Sequence, residues 1–204
     1  LLTVIGVDLA GVWERDTGFC ILRGMEAVTC VMHRDEEIIV ETLKVKPSVV
    51  AVDAPLFIPR GRQSIQDRSG PHLRHCDRDL LKMGIKFFPV TLGPMRKLAE
   101  RGMRLREVLE GYGLEVVEVY PGGAQDLLKI PRGKKDADGL KRCLEGIGVK
   151  GLSAAVSIHE LDAVTSAYTG KLYLEKRYIA LGDPGEGLMI MPKPENRVSS
   201  TNDS

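Results

Sequence analysis

LLTVIGVDLAG, from Leu1 to Gly11, is the stretch around which the rest of the chain organises. Val4, Ile5 and Val7 are β-branched and apolar, so the run reads as a buried strand rather than a helix. It ends on Asp8, a charge that an apolar strand does not ordinarily carry into a packed core. A carboxylate at that tip is either a turn cap or a ligand. Three later stretches are likewise apolar and then acidic: SVVAVDAPL (Ser48 to Leu56), LEVVEVYPG (Leu114 to Gly122) and the helical IHELDAVTSA (Ile158 to Ala167). Brought to one place, Asp8, Asp53, Glu118 and Asp162 make a site for Mg²⁺ or Mn²⁺. Hard divalent cations prefer oxygen ligands, and a pair of them needs several carboxylates.

The 204 residues suit one domain, expected over 1–192, with a polar tail over 193–204 that lacks periodicity and is expected to be disordered. Lys and Arg together number 29 against 28 Asp and Glu, so no global basic field advertises nucleic acid; a local basic patch is still compatible with this balance. No apolar run reaches the roughly eighteen residues of a membrane span, and the amino terminus goes straight into a strand rather than a signal peptide, so a cytoplasmic protein is expected. Cys20, Cys30, Cys76 and Cys143 have no CxxC spacing, and His72, His75 and Cys76 lack the second half that a zinc site requires. Gln and Asn are scarce beside the many Arg, Lys and Glu, a hint of a thermophile.

After the first strand, GFCILRG and MEAVTCVMH follow with short connections, which makes a meander of antiparallel strands. Asp35 opens a helix with acids in its first turn and an apolar stripe of Ile38, Ile39, Val40 and Leu43, and Pro47 stops it. Val49 to Val52 form a fourth strand ending at Asp53, and Leu114 to Tyr120 a fifth. Helices are expected over Cys76 to Met83, Pro94 to Gly111, Ala124 to Leu128, Asp138 to Ile147 and Ser157 to Leu174, and GDPGEGLMIMP adds a turn and one more apolar strand. A right-handed crossover sets the fourth strand beside the first, parallel to it. The fold class is therefore α/β: a five-stranded mixed sheet in the order 3-2-1-4-5, helices on both faces. Asp8 and Asp53 then share the carboxyl edge of adjacent parallel strands, where such sheets place ligands.

Each residue also has a plainer reading. Asp8 and Asp53 can each cap a turn, and Glu118 can pair with an arginine. His159 shares a helix face with Asp162 and is either a helper in proton transfer or a helix-start residue with a satisfied hydrogen bond. Glu160 reads as the solvated neighbour of Asp162. Arg60, Arg68 and Arg78 follow the fourth strand in a segment expected to overhang the site and bind phosphate, although Asp77 and Asp79 can simply neutralise Arg78. Trp13 can stack on a base or act as a hydrophobic lid.

Over about Leu2 to Pro192 the chain resembles the domain-of-unknown-function family described as predicted nucleases with an RNase H-like fold. The matching pieces are GVDLAG, VVAVDAP, CDRDL, VEVYPGGA, HELDAVTSA and GDPGEG. The resemblance implies phosphodiester hydrolysis of a nucleic acid with Mg²⁺ or Mn²⁺, with Asp8, Asp53 and Asp162 as metal-ligating acids. His159-x-x-Asp162 is also similar to the last-helix motif of some Holliday-junction resolvases, a pattern from which Glu118 departs. Two other readings compete: a non-catalytic protein on the same fold that binds a partner or nucleic acid, and an actin-like phosphotransferase. The second generally needs two copies of the domain, and this chain has room for one.

Overall fold

In the computed structural model, which describes residues 2–194, β1 (Thr3–Asp8) is the centre of a mixed sheet. β2 (Thr17–Arg23) and β3 (Glu26–Met32) extend it on one side as the antiparallel meander that their short connections require. Helix α1 (Asp35–Val45) crosses to β4 (Val49–Asp53), which pairs with β1 in parallel. Val49, Val50, Ala51 and Val52 are wholly buried, the run expected of a strand covered on both faces. Helices α2 (His75–Lys82) and α3 (Gly93–Gly111) lead to β5 (Val116–Val119), parallel to β4. Then come α4 (Pro121–Leu128), α5 (Ala137–Gly146) and α6 (Ile158–Leu174). The hairpin of β6 (Tyr178–Asp183) and β7 (Gly187–Pro192) closes the sheet.

The spatial order is β3-β2-β1-β4-β5-β7-β6. The expected order 3-2-1-4-5 is therefore the first part of a larger sheet, and the expectation of five strands is corrected to seven. β7 adds in parallel to β5 through Glu118 and Val119, and β6 folds back on it. The half-buried residues of β6 lack the continuous apolar run that marks the central strands. The tail expected over 193–204 lies almost wholly outside the described residues. Among those residues no helix is long and apolar enough to cross a membrane.

Helices cover both faces. Ile5, Val7, Val50 and Val52 face a core that includes Ile38 of α1, Leu80 of α2 and Leu105 and Leu109 of α3. Val4, Cys20, Leu22 and Val49 face the other, formed with α5 and α6. α6 lies unusually close to the sheet, because its contact positions and those beneath it are small. A Cβ on Gly6 of β1 would sit 2.0 Å from the Ala163 carbonyl oxygen, and one on Gly170 would meet Val4 and Ala51. The hydroxyls of Thr165, Ser166 and Thr169 bond back to carbonyls one turn earlier, so their burial leaves no donor unpaired.

Candidate active site

The parallel register of β1 and β4 pairs Asp8 with Asp53, so the two carboxylates stand side by side at the carboxyl ends of their strands. Both follow the two-residue alternation that puts Gly6 and Ala51 against α6, and so they point to the face where that helix begins. Ser157 caps α6 by accepting from the Glu160 amide at 3.2 Å, and the Glu160 carboxylate in turn accepts from the Ser157 amide at 2.9 Å. Glu160 also accepts from the Thr29 hydroxyl at 2.8 Å. It is thus a capping residue tied to β3 rather than a free acid beside Asp162.

The next residues of that first turn reach the strand tips. His159 Nδ1 lies 2.7 Å from Asp8 Oδ2. This bond raises the His159 pKa, with burial acting against it and the charges of Asp8, Asp16 and Asp162 acting with it. Asp162 accepts from Gln125 Nε2 at 2.6 Å, a buried amide of α4 that also bonds the Thr165 hydroxyl. Burial, then the charge of Asp8, pushes the Asp162 carboxyl up to about 6 against the pull of Gln125, Lys134 and His159. Asp53 is held well above the usual carboxylate range by burial, then by the charges of Asp8, Asp162 and Glu118, and by a hydrogen bond shared with Asp8. Among the described residues no amide, hydroxyl or cationic side chain donates to Asp53.

Seating His159 depends on an absent side chain. Gly18 pairs with Asp8 across the β1–β2 ladder, and a Cβ there would lie 1.9 Å from the His159 carbonyl oxygen. Gly18→Ala is expected to cost about 1–3 kcal/mol, because backbone rather than a flexible side chain must move. Thermal unfolding would read the loss. An NMR titration should show the His159 pKa falling back toward its ordinary value as the contact to Asp8 opens.

Glu118 is not brought to this group. Its register partner on β4 is Val52, so its side chain belongs to the face opposite Asp53. There Arg74 Nη1 contacts both of its oxygens at 2.8 and 2.9 Å, and the Leu56 amide donates to it at 2.7 Å. Arg74 also forks onto Asp77, and its guanidinium lies 4.7 Å from the centroid of the Phe57 ring. Burial pushes the Glu118 carboxyl up to about 7, with Arg74 and Leu56 opposing. Burial also works against the Arg74 charge, but Glu118, Cys76 and Asp77 outweigh it and raise that pKa.

The three expected phosphate-binding arginines do not touch the carboxylates. The Leu56–Glu118 bond draws the chain after Asp53 across the face opposite α6. Arg60 pairs with Asp183 at 2.7 Å, and its amide donates to Glu186. That β6–β7 turn lies at the start of β7, the end of the sheet opposite the Asp8 and Asp53 tips. Arg62 binds the carbonyls of Asp67, Gly70 and Pro71 and folds the segment on itself. Arg68 and Arg78 are exposed and make no ion pair among the described residues, since Asp77 is held by Arg74 and Asp79 by Lys82 and the Gly182 amide. Gln125 and Arg74 carry no signal in the sequence. One follows Pro-Gly-Gly and the other precedes a short helix, and neither setting carries a periodic or spacing signal.

An α/β fold with two acids on adjacent parallel strand tips and a third on a helix laid across them can be compared with solved structures. It is similar to that of RuvC. Thermus thermophilus RuvC in complex with a Holliday junction substrate aligns with a TM-score of 0.52 at 15% identity, over 86% of this chain and 96% of that one. A second Thermus thermophilus RuvC structure aligns over the same shares with a TM-score of 0.48 at 14% identity. The likeness to RuvC concerns the fold. No protein-family model matches the sequence, and no curated protein does.

The donor set can be weighed by its chemistry. Asp8, Asp53 and Asp162 offer only oxygen, and burial first and neighbouring carboxylates second raise the proton affinity of Asp53 and Asp162; both properties suit a hard divalent cation. Among the described residues no three His, Cys, Asp or Glu side chains form a ready-made metal cage. His159 engages one oxygen of Asp8 and Gln125 one oxygen of Asp162, and each carboxylate keeps further lone pairs that a metal can use while these bonds persist.

Proposed function

We propose that the chain is a nuclease that hydrolyses phosphodiester bonds with Mg²⁺ or Mn²⁺, in keeping with the predicted nucleases it resembles. The observation that carries this reading is Asp53. It is a half-buried carboxylate without a donor, register-paired with Asp8 and charge-coupled to Asp162. Such a group costs stability unless something positive neutralises it. In this reading Asp8, Asp53 and Asp162 hold the metal, which when bound supplies Lewis-acid activation of water and charge neutralisation at the phosphate.

The protein groups would do the rest. Asp8 keeps His159 protonated further into the neutral range, so the imidazole can give a proton to a departing oxygen. Gln125 fixes the Asp162 carboxylate from the buried side. Glu118 has no part in ligation here; it holds Arg74 and the start of the loop after Asp53. RuvC adds fold-level support, and the substrate named for it, a Holliday junction, makes branched DNA the first substrate to try.

A panel of single-stranded, duplex and branched DNA and RNA is expected to show cleavage of at least one member that depends on Mn²⁺ or Mg²⁺ and stops in EDTA. Cleavage that survives EDTA would sink the reading. A second reading, nucleic-acid binding without catalysis, is favoured by the absence of a ready-made metal cage among the described residues. Binding without cleavage across the whole panel would establish it.

A further inference from the structure

Where the chain leaves β1, on the sheet face covered by α3 rather than α6, lies an open cavity of about 380 Å³ lined by Trp13 and Glu14 and by Lys97, Glu100 and Arg104 of α3. Resting on the nuclease reading, we propose that it receives one unpaired nucleotide of the substrate, its base stacked on Trp13 and its phosphate held by Lys97 and Arg104. The volume suits a single nucleotide. Trp13 is half exposed, at 49%, although an indole is among the costliest side chains to leave in water. Arg34, which does not line the cavity, lies over its ring at 5.6 Å from the centroid.

The platform is joined to the end of β1 and pinned to α3. Trp13 follows Asp8 by one short turn, and that turn is pinned to α3 by buried Arg101, which donates to the Ala10 carbonyl at 2.7 Å, to the His33 carbonyl at 2.6 Å and to Asp35 at 2.7 Å. Arg101 and Asp35 thereby spend their charges on each other. Lys97 and Arg104 are exposed and make no ion pair among the described residues. Glu14 and Glu100 oppose them, and Glu100 accepts from Gln66 Nε2. This near balance of charge favours recognition through stacking, with one phosphate contacted, over tracking of a long backbone. It also fits a chain whose net charge is +1. Salt dependence should accordingly be shallow.

Trp13 is the only tryptophan, so its fluorescence reports this cavity alone. In EDTA, where no cleavage occurs, single-stranded DNA and RNA oligonucleotides should quench it, and a blunt duplex without unpaired bases should not. Trp13→Ala should weaken binding of an end-labelled single strand about tenfold, read by anisotropy. Lys97→Glu combined with Arg104→Glu should weaken it similarly while the protein keeps its melting temperature. Unchanged anisotropy midpoints in these variants, or equal quenching by the blunt duplex, would overturn the proposal. Quenching by a wild-type protein that cuts nothing in Mn²⁺ would remove the nuclease reading and keep the stacking site. Cleavage without quenching would do the reverse.

Discussion

Asp53→Asn is expected to lower metal-dependent cleavage by at least about a thousandfold, and yet to leave the metal-free protein as stable as wild type or more so. On the proposed nuclease reading, the first effect follows from removing one of the carboxylates that would hold the metal, a group expected to contribute several kcal/mol to the transition state. The second follows from the crowding of charge around Asp53, where Asn keeps the shape and deletes one like charge. Wild type should gain stability in millimolar Mn²⁺, by about 2.7 kcal/mol if the concentration is about a hundred times the dissociation constant. Asp53→Asn, Asp8→Asn and Asp162→Asn should each lose most of that gain, and Glu118→Gln should retain it.

The same crowding sets the pH dependence. Asp162 binds its proton more tightly folded, at about 6, than in the ordinary carboxylate range near 3.8. A raised carboxyl contributes stability that is complete below about pH 4 and is lost as the pH climbs through about 6. The metal-free protein should therefore lose stability from this group between about pH 4 and about pH 6.5, while the Mn²⁺-induced gain grows over the same interval as protons leave the carboxylates. Differential scanning fluorimetry at both pH values, with and without Mn²⁺, reads all four combinations. Clear destabilisation of the metal-free protein by Asp53→Asn, with the Mn²⁺ gain intact, would mark Asp53 as a structural cap.

Arg74→Met is expected to cost about 3–5 kcal/mol, a large share of the stability of a single domain. Arg74 is 3% exposed and is the cation that both Glu118, at 2%, and Asp77, at 1%, depend on. Taking it away leaves two buried carboxylates without a counter-charge, and the Leu56 amide alone cannot neutralise Glu118. Urea unfolding should register the loss. Adding Glu118→Met and Asp77→Leu should recover much of it, because an apolar replacement of the whole network removes the stranded charges. A cost under about 1 kcal/mol for Arg74→Met would show that water reaches these acids.

The residues by themselves determine the central architecture. Continuous apolar runs at Val4 to Val7 and Val49 to Val52, joined through a meander and a helix, admit one right-handed crossover, and that sets Asp8 beside Asp53. Small residues along Ala163, Ser166, Ala167 and Gly170 announce a helix that approaches the sheet closely, and His159 and Asp162 travel with it. The hairpin of β6 and β7 was less legible, because β6 is an edge strand whose pattern does not separate it from an exposed connection.

Only the tertiary structure decided which acids meet. Side chains on a strand alternate with a period of two, so a shift of one residue in pairing sends Glu118 to the other face. The observed register pairs Val52 with Glu118, and Arg74, distant in sequence, receives it there. The course of Arg60 is a consequence of that same pairing, since the bond from Leu56 to Glu118 turns the loop away from the strand tips. Gln125 reaches Asp162 because α4 packs on α6. Long-range partners of this kind depend on register and helix placement, which local composition does not encode.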